Sequence, residues 1–222
     1  MTPEQKSTFR EKGYLLLRGA LDKRQVGPIR DYVLSELKRL RIWSSGKTLS
    51  ASIKQTPPFQ QITKLSGLIK RDDLQSKLIT RDILSAINSL AEVKLIPAQS
   101  QFLISLPNQG VWTINGLNWH TDISHNTTGI QAFILIDEVK PSGGATLAIA
   151  GSHLLPRQRL REILQQNDDL QSVLRSNNLS LVEMSGQAGD VYLMDMRLLH
   201  TPSINATKNV RMVATVRYLS TR

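Results

Sequence analysis

The fold class is decided by one stretch of the sequence, Ile130-Gln131-Ala132-Phe133-Ile134-Leu135-Ile136-Asp137-Glu138-Val139-Lys140-Pro141-Ser142-Gly143-Gly144-Ala145-Thr146-Leu147-Ala148-Ile149-Ala150. This stretch consists of two short apolar runs that are separated by a turn rich in Pro, Ser and Gly. Runs of this length, bounded by turn residues, are typical of buried β-strands. The stretch therefore predicts two strands of an all-β core.

Similar runs recur on both sides of this stretch. Turn signals such as Pro107-Asn108-Gln109-Gly110 and Gly186–Asp190 separate most of them. Many short strands divided by turns indicate a β-sandwich or barrel. The other predicted strands are Val93–Pro97, Gln101–Leu106, Val191–Met194 and Met212–Leu219. A helical pattern at about 157–176 is predicted to be an insert in this core.

The first 92 residues have a different pattern, which predicts mainly helical support. Thr2-Pro3-Glu4-Gln5 combines an N-cap, a first-turn Pro and a capping Gln, and Gly13 is predicted to end that helix. Asp22 is predicted to cap a second helix, whose apolar stripe runs from Val26 to Leu40. Residues 43–58 are predicted to be a loop, and 59–92 to form two or three short helices. We expect 1–222 to be one domain, with the core in 93–222.

Composition narrows the chemistry. The chain has 222 residues, no cysteine and a net charge of +10. Without cysteine, disulfides, iron–sulfur clusters and thiolate zinc sites are excluded, so any metal must be held by nitrogen and oxygen. No apolar run reaches the ~18 residues of a membrane span, and the N-terminal residues do not resemble a signal peptide. We therefore expect a cytoplasmic protein.

The positive charge has two interpretations. It can be a solvated basic surface, or it can serve an anionic partner such as a carboxylate, an acyl-CoA or an acidic carrier protein. Nucleic acid is the weaker candidate, because the basic residues are scattered and few aromatic residues lie between them.

The candidate metal ligands come from the four histidines. His120 and Asp122 stand two residues apart, so in an extended segment both side chains point to the same face. His200 follows an apolar strand and can complete a set of two histidines and one carboxylate, which suits iron(II) with open coordination positions. By itself a His-x-Asp pair is common, and a loop His beside a turn Asp remains the alternative. His125 is a decoy ligand, a substrate contact or a surface residue.

Arg211 stands eleven residues after His200, at the start of a basic and apolar strand. Its guanidinium can bind the far carboxylate of a dicarboxylate ligand. Arg217 is in phase with it and is predicted either to line the pocket or to have a structural role. His153 is predicted to be structural.

Several motifs occur in order: Trp119-His120-Thr121-Asp122, Gly143-Gly144-Ala145-Thr146-Leu147, Gly151-Ser152-His153, Gly189-Asp190, then His200 and Arg211. Together with Phe9–Leu21, this series resembles the phytanoyl-CoA hydroxylase-like family of iron(II)/2-oxoglutarate dioxygenases. The resemblance implies a double-stranded β-helix, a jelly-roll variant related to cupins.

The resemblance also implies roles for individual residues. His120, Asp122 and His200 match the iron ligands, and Arg211 matches the arginine that binds the 2-oxoglutarate tail. Further cosubstrate contacts are expected from Phe133 as an aromatic wall, from Gln101 or Phe102 on a neighbouring strand, and from the hydroxyl of Thr201 or Ser203. The family has a small polar residue at the place of Pro202, so either neighbouring hydroxyl is a candidate.

By resemblance, the chain is an oxidoreductase that uses Fe(II), 2-oxoglutarate and O₂ to hydroxylate an unactivated C–H bond. The expected substrate is a small metabolite or natural-product intermediate, and the net charge favours an anionic or carboxylate-bearing one. Asp122 favours hydroxylation over halogenation, because related halogenases have Gly or Ala there. Desaturation, epimerisation and cyclisation use the same ligands and stay open. So do a non-catalytic metal-binding sensor, a nucleic-acid demethylase and a manganese or zinc hydrolase. Specificity is expected to lie in 43–80, 108–118 and 157–176.

Overall fold

The structure is a computed structural model that describes residues 1–110, 113–124, 126–165 and 170–221. The helices are α1 (Pro3–Lys12), α2 (Lys23–Arg39), α3 (Ala51–Gln55), α4 (Pro58–Leu68), α5 (Leu74–Leu78), α6 (Arg81–Leu90), α7 (Arg157–Gln165) and α8 (Leu170–Ser176). The strands are β1 (Tyr14–Leu17), β2 (Trp43–Ser44), β3 (Lys47–Thr48), β4 (Leu95–Ser105), β5 (Gly129–Leu135), β6 (Thr146–Ala150), β7 (Ser180–Glu183), β8 (Val191–Asp195), β9 (His200–Pro202) and β10 (Arg211–Ser220).

The helix boundaries near the N-terminus follow the predicted caps. The Thr2 side chain accepts a hydrogen bond from the Gln5 backbone N at 3.2 Å, and the Gln5 side chain accepts one from the Thr2 backbone N at 2.9 Å. Gly13 ends α1 with a φ of 77°, a conformation that glycine adopts without steric cost. Asp22 forms the same reciprocal cap with Gln25 at the start of α2. Both predicted helix starts are confirmed.

Two antiparallel sheets form the core. The large sheet has the order β1-β8-β5-β10-β4, and the small sheet has the order β7-β6-β9. Side chains alternate between the two faces of the large sheet, so each face packs in a different layer of the core. One face, with Phe102, Ile134 and Val216, packs against the helices, while the other, with Phe133 and Val213, faces the small sheet. The predicted jelly-roll core with helical support is confirmed.

Strand β4 differs from the prediction, which had two strands at 93–97 and 101–106. It is one continuous strand, and the register with β10 shifts between Arg217 and Tyr218. Pro97 is tolerated because β4 is an edge strand that pairs with β10 alone. Residues 98–100 interrupt the apolar pattern of the sequence, but the strand continues through them.

The prediction of a loop at 43–58 was wrong. This segment contains the β2–β3 hairpin and α3. Ser45 and Gly46 form the hairpin turn with φ of 50° and 77°, and Ser50 caps α3 by accepting from the Ile53 backbone N at 3.3 Å. A composition rich in Ser and Thr was interpreted as a loop, although these residues form the turn and the cap.

The remaining helical predictions agree with the structure. Residues 59–92 contain α4, α5 and α6, and the insert at 157–176 contains α7 and α8. Leu160, Ile163 and Leu174 of the insert pack against Ile149 of the small sheet and against Leu199, which precedes β9. Among the helices of the described residues, none has both the length and the hydropathy to cross a membrane.

Candidate metal and cosubstrate site

Backbone pairing brings His120 and His200 together across eighty positions of sequence. The two residues form an antiparallel bridge in which each backbone N donates to the other's carbonyl at 2.9 Å. Two residues further on, the Asp122 backbone N donates to the Met196 carbonyl at 3.0 Å. His120 and Asp122 are thus fixed in an extended segment beside β9, with their side chains on the same side.

The three side chains meet at one point. One ligand atom from each of His120, Asp122 and His200, which we call the triad, lies within 4.8 Å of the others. The His200 Nε2 atom is 3.6 Å from Asp122 Oδ2, and the two imidazole centroids are 4.5 Å apart. The structure therefore brings together the three residues that the sequence singled out.

Backbone carbonyls set the tautomers of both histidines. His120 Nδ1 lies 2.8 Å from the Asn118 carbonyl, and His200 Nδ1 lies 2.9 Å from the Leu198 carbonyl. A carbonyl oxygen only accepts, so each Nδ1 carries a proton and Nε2 is the atom of each ring that can bind a metal. Burial is the largest cause that lowers the pKa of His200 below its ordinary value, which keeps that ring neutral. Both rings are thus ready to bind a cation.

The Asp122 carboxylate has two different oxygens. Its Oδ1 accepts a hydrogen bond from Arg217 Nη2 at 2.9 Å, while its Oδ2 is buried and has no hydrogen-bond partner in the described part of the chain. Arg217 is held in turn by Gln131 of the neighbouring strand, whose Oε1 accepts from Arg217 Nε at 3.1 Å. One carboxylate oxygen is therefore committed to the protein, and the other faces the histidine nitrogens.

This donor set fits a divalent transition metal. Two imidazole nitrogens and one carboxylate oxygen on one side of a point leave the other side open, which is the arrangement that suits iron(II). The unpartnered Asp122 Oδ2 is a further indication, because a buried carboxylate oxygen without a hydrogen bond or a cation is costly.

Arg211 is the second feature of the site. Its side chain is 2% exposed, and its Nη2 donates to Thr146 Oγ1 at 3.1 Å. Its Nε and Nη1 atoms are buried without partners, and among the described residues no carboxylate forms an ion pair with it. Burial lowers its pKa to about 10, so the guanidinium remains charged at neutral pH. A buried cation without a partner fits the carboxylate of a bound ligand.

A cavity of about 390 Å³ opens onto the triad. Phe133 and Gln101 line it, and the Phe133 ring stands edge-on to His200 with centroids 6.5 Å apart. Thr146, the partner of Arg211, also lines it, as does Arg217. The structure thus places two of the predicted cosubstrate residues in the wall of the cavity.

The hydroxyls of Thr201 and Ser203 are not brought to the cavity. Thr201 Oγ1 donates to the Pro202 carbonyl at 3.1 Å, and Ser203 Oγ donates to the Ala145 carbonyl at 2.8 Å. Because side chains alternate along β9, His200 and Pro202 face the cavity and Thr201 faces away. The hydroxyl that reaches this wall belongs to Thr146, which pairs with Pro202 across the sheet.

Thr146 is part of the Gly-Gly-Ala-Thr-Leu motif, but the sequence did not single it out as a residue of the site. Sequence reasoning also missed the wall that α4 contributes through Phe59, Gln60, Ile62 and Thr63, and it missed Asn118. These positions lie within two of the segments expected to carry specificity, but their pattern did not single them out. Among the described residues, the insert at 157–176 contributes nothing to the lining.

The other candidates stand outside the site. His153 is buried, and its Nε2 lies 3.0 Å from the Arg10 carbonyl, so it ties α1 to the core as the structural interpretation expected. The Trp119 indole donates to the Ile114 carbonyl at 3.2 Å and packs beside the insert. His125 lies outside the described residues.

The fold and this cavity define a jelly-roll protein with a transition-metal donor set. The model of the family described as "Phytanoyl-CoA dioxygenase (PhyH)" matches residues 9–213, so the chain belongs to that family of oxygenases. No curated protein sequence matches the chain.

Solved structures with the same fold share little sequence with this chain. The "non-heme alpha ketoglutarate dependent carbocyclase SnoK from nogalamycin biosynthesis" is 22% identical, with a TM-score of 0.68, over 99% of this chain and 84% of that one. "HygX from Streptomyces hygroscopicus with nickel and 2-oxoglutarate bound" is 17% identical, with a TM-score of 0.63, over 100% and 87%. "EctD from S. alaskensis with bound Fe" is 17% identical, with a TM-score of 0.64, over 99% and 77%.

Proposed function

We propose that this protein is an Fe(II)/2-oxoglutarate-dependent dioxygenase that hydroxylates an unactivated C–H bond of a small molecule. The observation that carries the proposal is the pairing of two incomplete sites. The triad opens onto a cavity, and the buried Arg211, which contacts Thr146 of the cavity wall, has no anionic partner among the described residues. A keto acid dicarboxylate bound to a metal would complete both.

The triad would hold iron(II), and Arg211 with Thr146 would hold the far carboxylate of 2-oxoglutarate. Phe133 would form the wall beside the cosubstrate, and Gln101 would contribute a further polar contact. Thr146 takes the place that the sequence had given to Thr201 or Ser203. The relatives with bound iron, or with nickel and 2-oxoglutarate, support the same loading here.

When bound, iron supplies the oxidative decarboxylation of 2-oxoglutarate by O₂ to succinate and CO₂, with one oxygen atom passing to the substrate. The protein supplies placement. Carbonyl hydrogen bonds orient both imidazoles, Arg217 holds one oxygen of Asp122, and Arg211 fixes the tail of the dicarboxylate. The carboxylate at position 122 leaves no gap for a halide, which favours hydroxylation.

A second candidate is a different outcome of the same chemistry. Two solved structures of this fold are described as a carbocyclase and an epimerase. Both reactions begin with the removal of a hydrogen atom from the substrate, so the same residues would serve them. The product, identified by mass spectrometry, distinguishes them: hydroxylation adds one oxygen atom, cyclisation removes two hydrogens, and epimerisation leaves the mass unchanged.

We further propose that residues 1–222 act as one domain. Strand β1 belongs to the N-terminal support, yet it pairs with β8 of the core in the large sheet, and α4 lines the cavity. The N-terminal third thus contributes both to the core and to the site.

The test is 2-oxoglutarate turnover in the presence of Fe(II), ascorbate and O₂. Wild-type protein should release succinate even without substrate, at a slow uncoupled rate, and His200→Ala should release none. Lys64→Gln is the matched control, because Lys64 is exposed on α4 and does not line the cavity. If wild-type protein neither binds 2-oxoglutarate by calorimetry with metal present nor forms succinate, the proposed function is wrong.

A further inference from the structure

One wall of the cavity comes from a single helix. Gln60 and Thr63 of α4 both line the cavity, and both are exposed, so they lie at its mouth. Residues three positions apart in a helix are neighbours on the same face. The two side chains therefore present a carboxamide and a hydroxyl together, on the route that a substrate takes to the triad.

Other residues hold α4 in place. Gln61 Nε2 donates to the Thr56 carbonyl at 2.7 Å, and Gln61 Oε1 accepts from Gln109 Nε2 at 2.8 Å. Ser66 Oγ donates to the Phe102 carbonyl of β4. Gln60 and Thr63 have no side-chain hydrogen bond within the described parts of the chain. Their polar groups are thus left for a ligand, and the helix does not need them for its position.

Asn118 adds a third neutral group. It lines the cavity, is exposed, and its backbone carbonyl is fixed by His120 Nδ1 at 2.8 Å. Its side-chain amide has no hydrogen-bond partner among the residues that the structure describes. A carboxamide both donates and accepts, so it recognises hydroxyl and carbonyl groups equally well.

The excess of basic residues that gives the chain its net charge of +10 is not found in the lining of this cavity. Of the described residues that line the cavity, Arg217 is the only lysine or arginine, and it is bound to Asp122 and Gln131. A substrate carboxylate that moved past this mouth into the cavity would lose its hydration without gaining an unpaired lysine or arginine. The expectation of an anionic substrate, which rested on net charge, therefore finds no partner in the lining.

We infer that the substrate enters the cavity with an uncharged part whose hydroxyl or carbonyl groups bind Gln60, Thr63 and Asn118, and that these residues determine specificity. This inference rests on the proposed function. The inference is confined to the part of the substrate that enters the cavity, because the adjoining groove between α4 and β4, of about 440 Å³, is lined by the charged residues Lys70, Arg71 and Asp72.

The test measures binding of matched probes to the protein loaded with Zn(II), which is redox-inert, and with 2-oxoglutarate. The pairs differ only in charge: methyl glucoside with methyl glucuronoside, benzamide with benzoate, and cyclohexanemethanol with cyclohexanecarboxylate. Saturation-transfer NMR reports binding. Calorimetry first confirms that 2-oxoglutarate binds; a failure at that step contradicts the proposed function and is thereby separated from the result for the probes.

The neutral member of at least one pair should bind more tightly than its carboxylate. Gln60→Leu and Thr63→Val should each weaken that binding by about three- to tenfold, the effect of losing one hydrogen bond, with 2-oxoglutarate affinity unchanged. Lys64→Gln, on the same helix, should change neither. Tighter binding of the carboxylates, equal binding within every pair, no binding of any neutral probe, or no effect of the two α4 variants would each overturn the inference.

Discussion

Arg217 Nη2 lies 2.9 Å from Asp122 Oδ1, although the two residues are 95 positions apart in the chain. The contact leaves Asp122 Oδ2 as the oxygen that faces His200 Nε2 at 3.6 Å. The arginine thus decides which oxygen of the carboxylate is available to a metal. In a set of three protein ligands, a carboxylate that binds through one oxygen keeps more coordination positions open than one that binds through two.

Arg217→Met should therefore weaken and alter metal binding. We expect Co(II) affinity to fall by about tenfold, the cost of one charged hydrogen bond, and the Co(II) absorption spectrum to change because Asp122 becomes free to bind through both oxygens. Arg30→Met is the matched control, since Arg30 forms an ion pair with Asp137 at 2.7 Å outside the cavity. A wild-type spectrum and affinity in Arg217→Met would show that the contact does not control the ligand.

Arg211→Met should abolish the binding of 2-oxoglutarate without lowering the stability of the ligand-free protein. The guanidinium is buried with two unpartnered nitrogens, so replacing it with an apolar side chain of similar length removes a desolvation cost. Without 2-oxoglutarate, we expect the free energy of unfolding to stay equal or to rise by about 1–3 kcal/mol. Wild-type protein should gain stability from 2-oxoglutarate in the presence of Zn(II), and Arg211→Met should not. Thermal unfolding measures both effects, and an unchanged response to 2-oxoglutarate would remove Arg211 from the site.

His200→Ala should abolish metal binding and turnover together. The variant removes one of three ligands and opens a gap between the sheets. We therefore also expect the free energy of unfolding to fall by about 1–3 kcal/mol. His200→Gln keeps much of the volume and serves as a second variant in case the first fails to fold. Equilibrium dialysis with Fe(II) under anaerobic conditions provides the measurement. A folded variant that retains wild-type iron affinity would exclude His200 as a ligand.

His153 contributes to the pH dependence of the free energy of unfolding. Burial lowers its pKa in the folded state below the value of an exposed histidine, so the unfolded chain binds the proton more readily. Stability from this group is fully present above about pH 6.5, the unfolded value, and is lost as the pH falls below it. His153→Gln can keep the hydrogen bond to the Arg10 carbonyl without titrating, so its free energy of unfolding should vary less between about pH 7 and pH 5.5. Urea unfolding at both pH values compares the slopes, and equal slopes would contradict the assignment.

Much of this molecule could be predicted from local patterns. The reciprocal caps at Thr2 and Asp22 involve neighbours in sequence, and apolar runs between turns identify strands whatever their partners. His120 and Asp122 share a face because of strand periodicity, and His200 and Arg211 had the spacing of a family motif. The caps, the strands and the His120–Asp122 pair depend on short-range geometry, which the sequence displays directly, whereas His200 and Arg211 were identified by the family resemblance.

The remaining features depend on contacts between distant segments. β9 has only three residues and follows two leucines, so no alternation shows that Thr201 faces away from the cavity. Thr146 belongs to the site because its hydroxyl accepts a hydrogen bond from Arg211, which lies on the other sheet and 65 positions away in the chain. The position of α4 over the cavity likewise follows from hydrogen bonds to Gln109 and Phe102, which lie in other elements. No local pattern encodes these contacts.

The central claim is that one cation binds the triad while Arg211 binds the other end of the cosubstrate. The most direct measurement is an anaerobic crystal structure of the protein with Fe(II) and 2-oxoglutarate, with anomalous data at the iron edge. We expect one iron peak bonded to His120, Asp122 and His200, and a carboxylate hydrogen-bonded to Arg211 and Thr146. An iron peak elsewhere, or a 2-oxoglutarate whose tail avoids Arg211, would contradict the central claim.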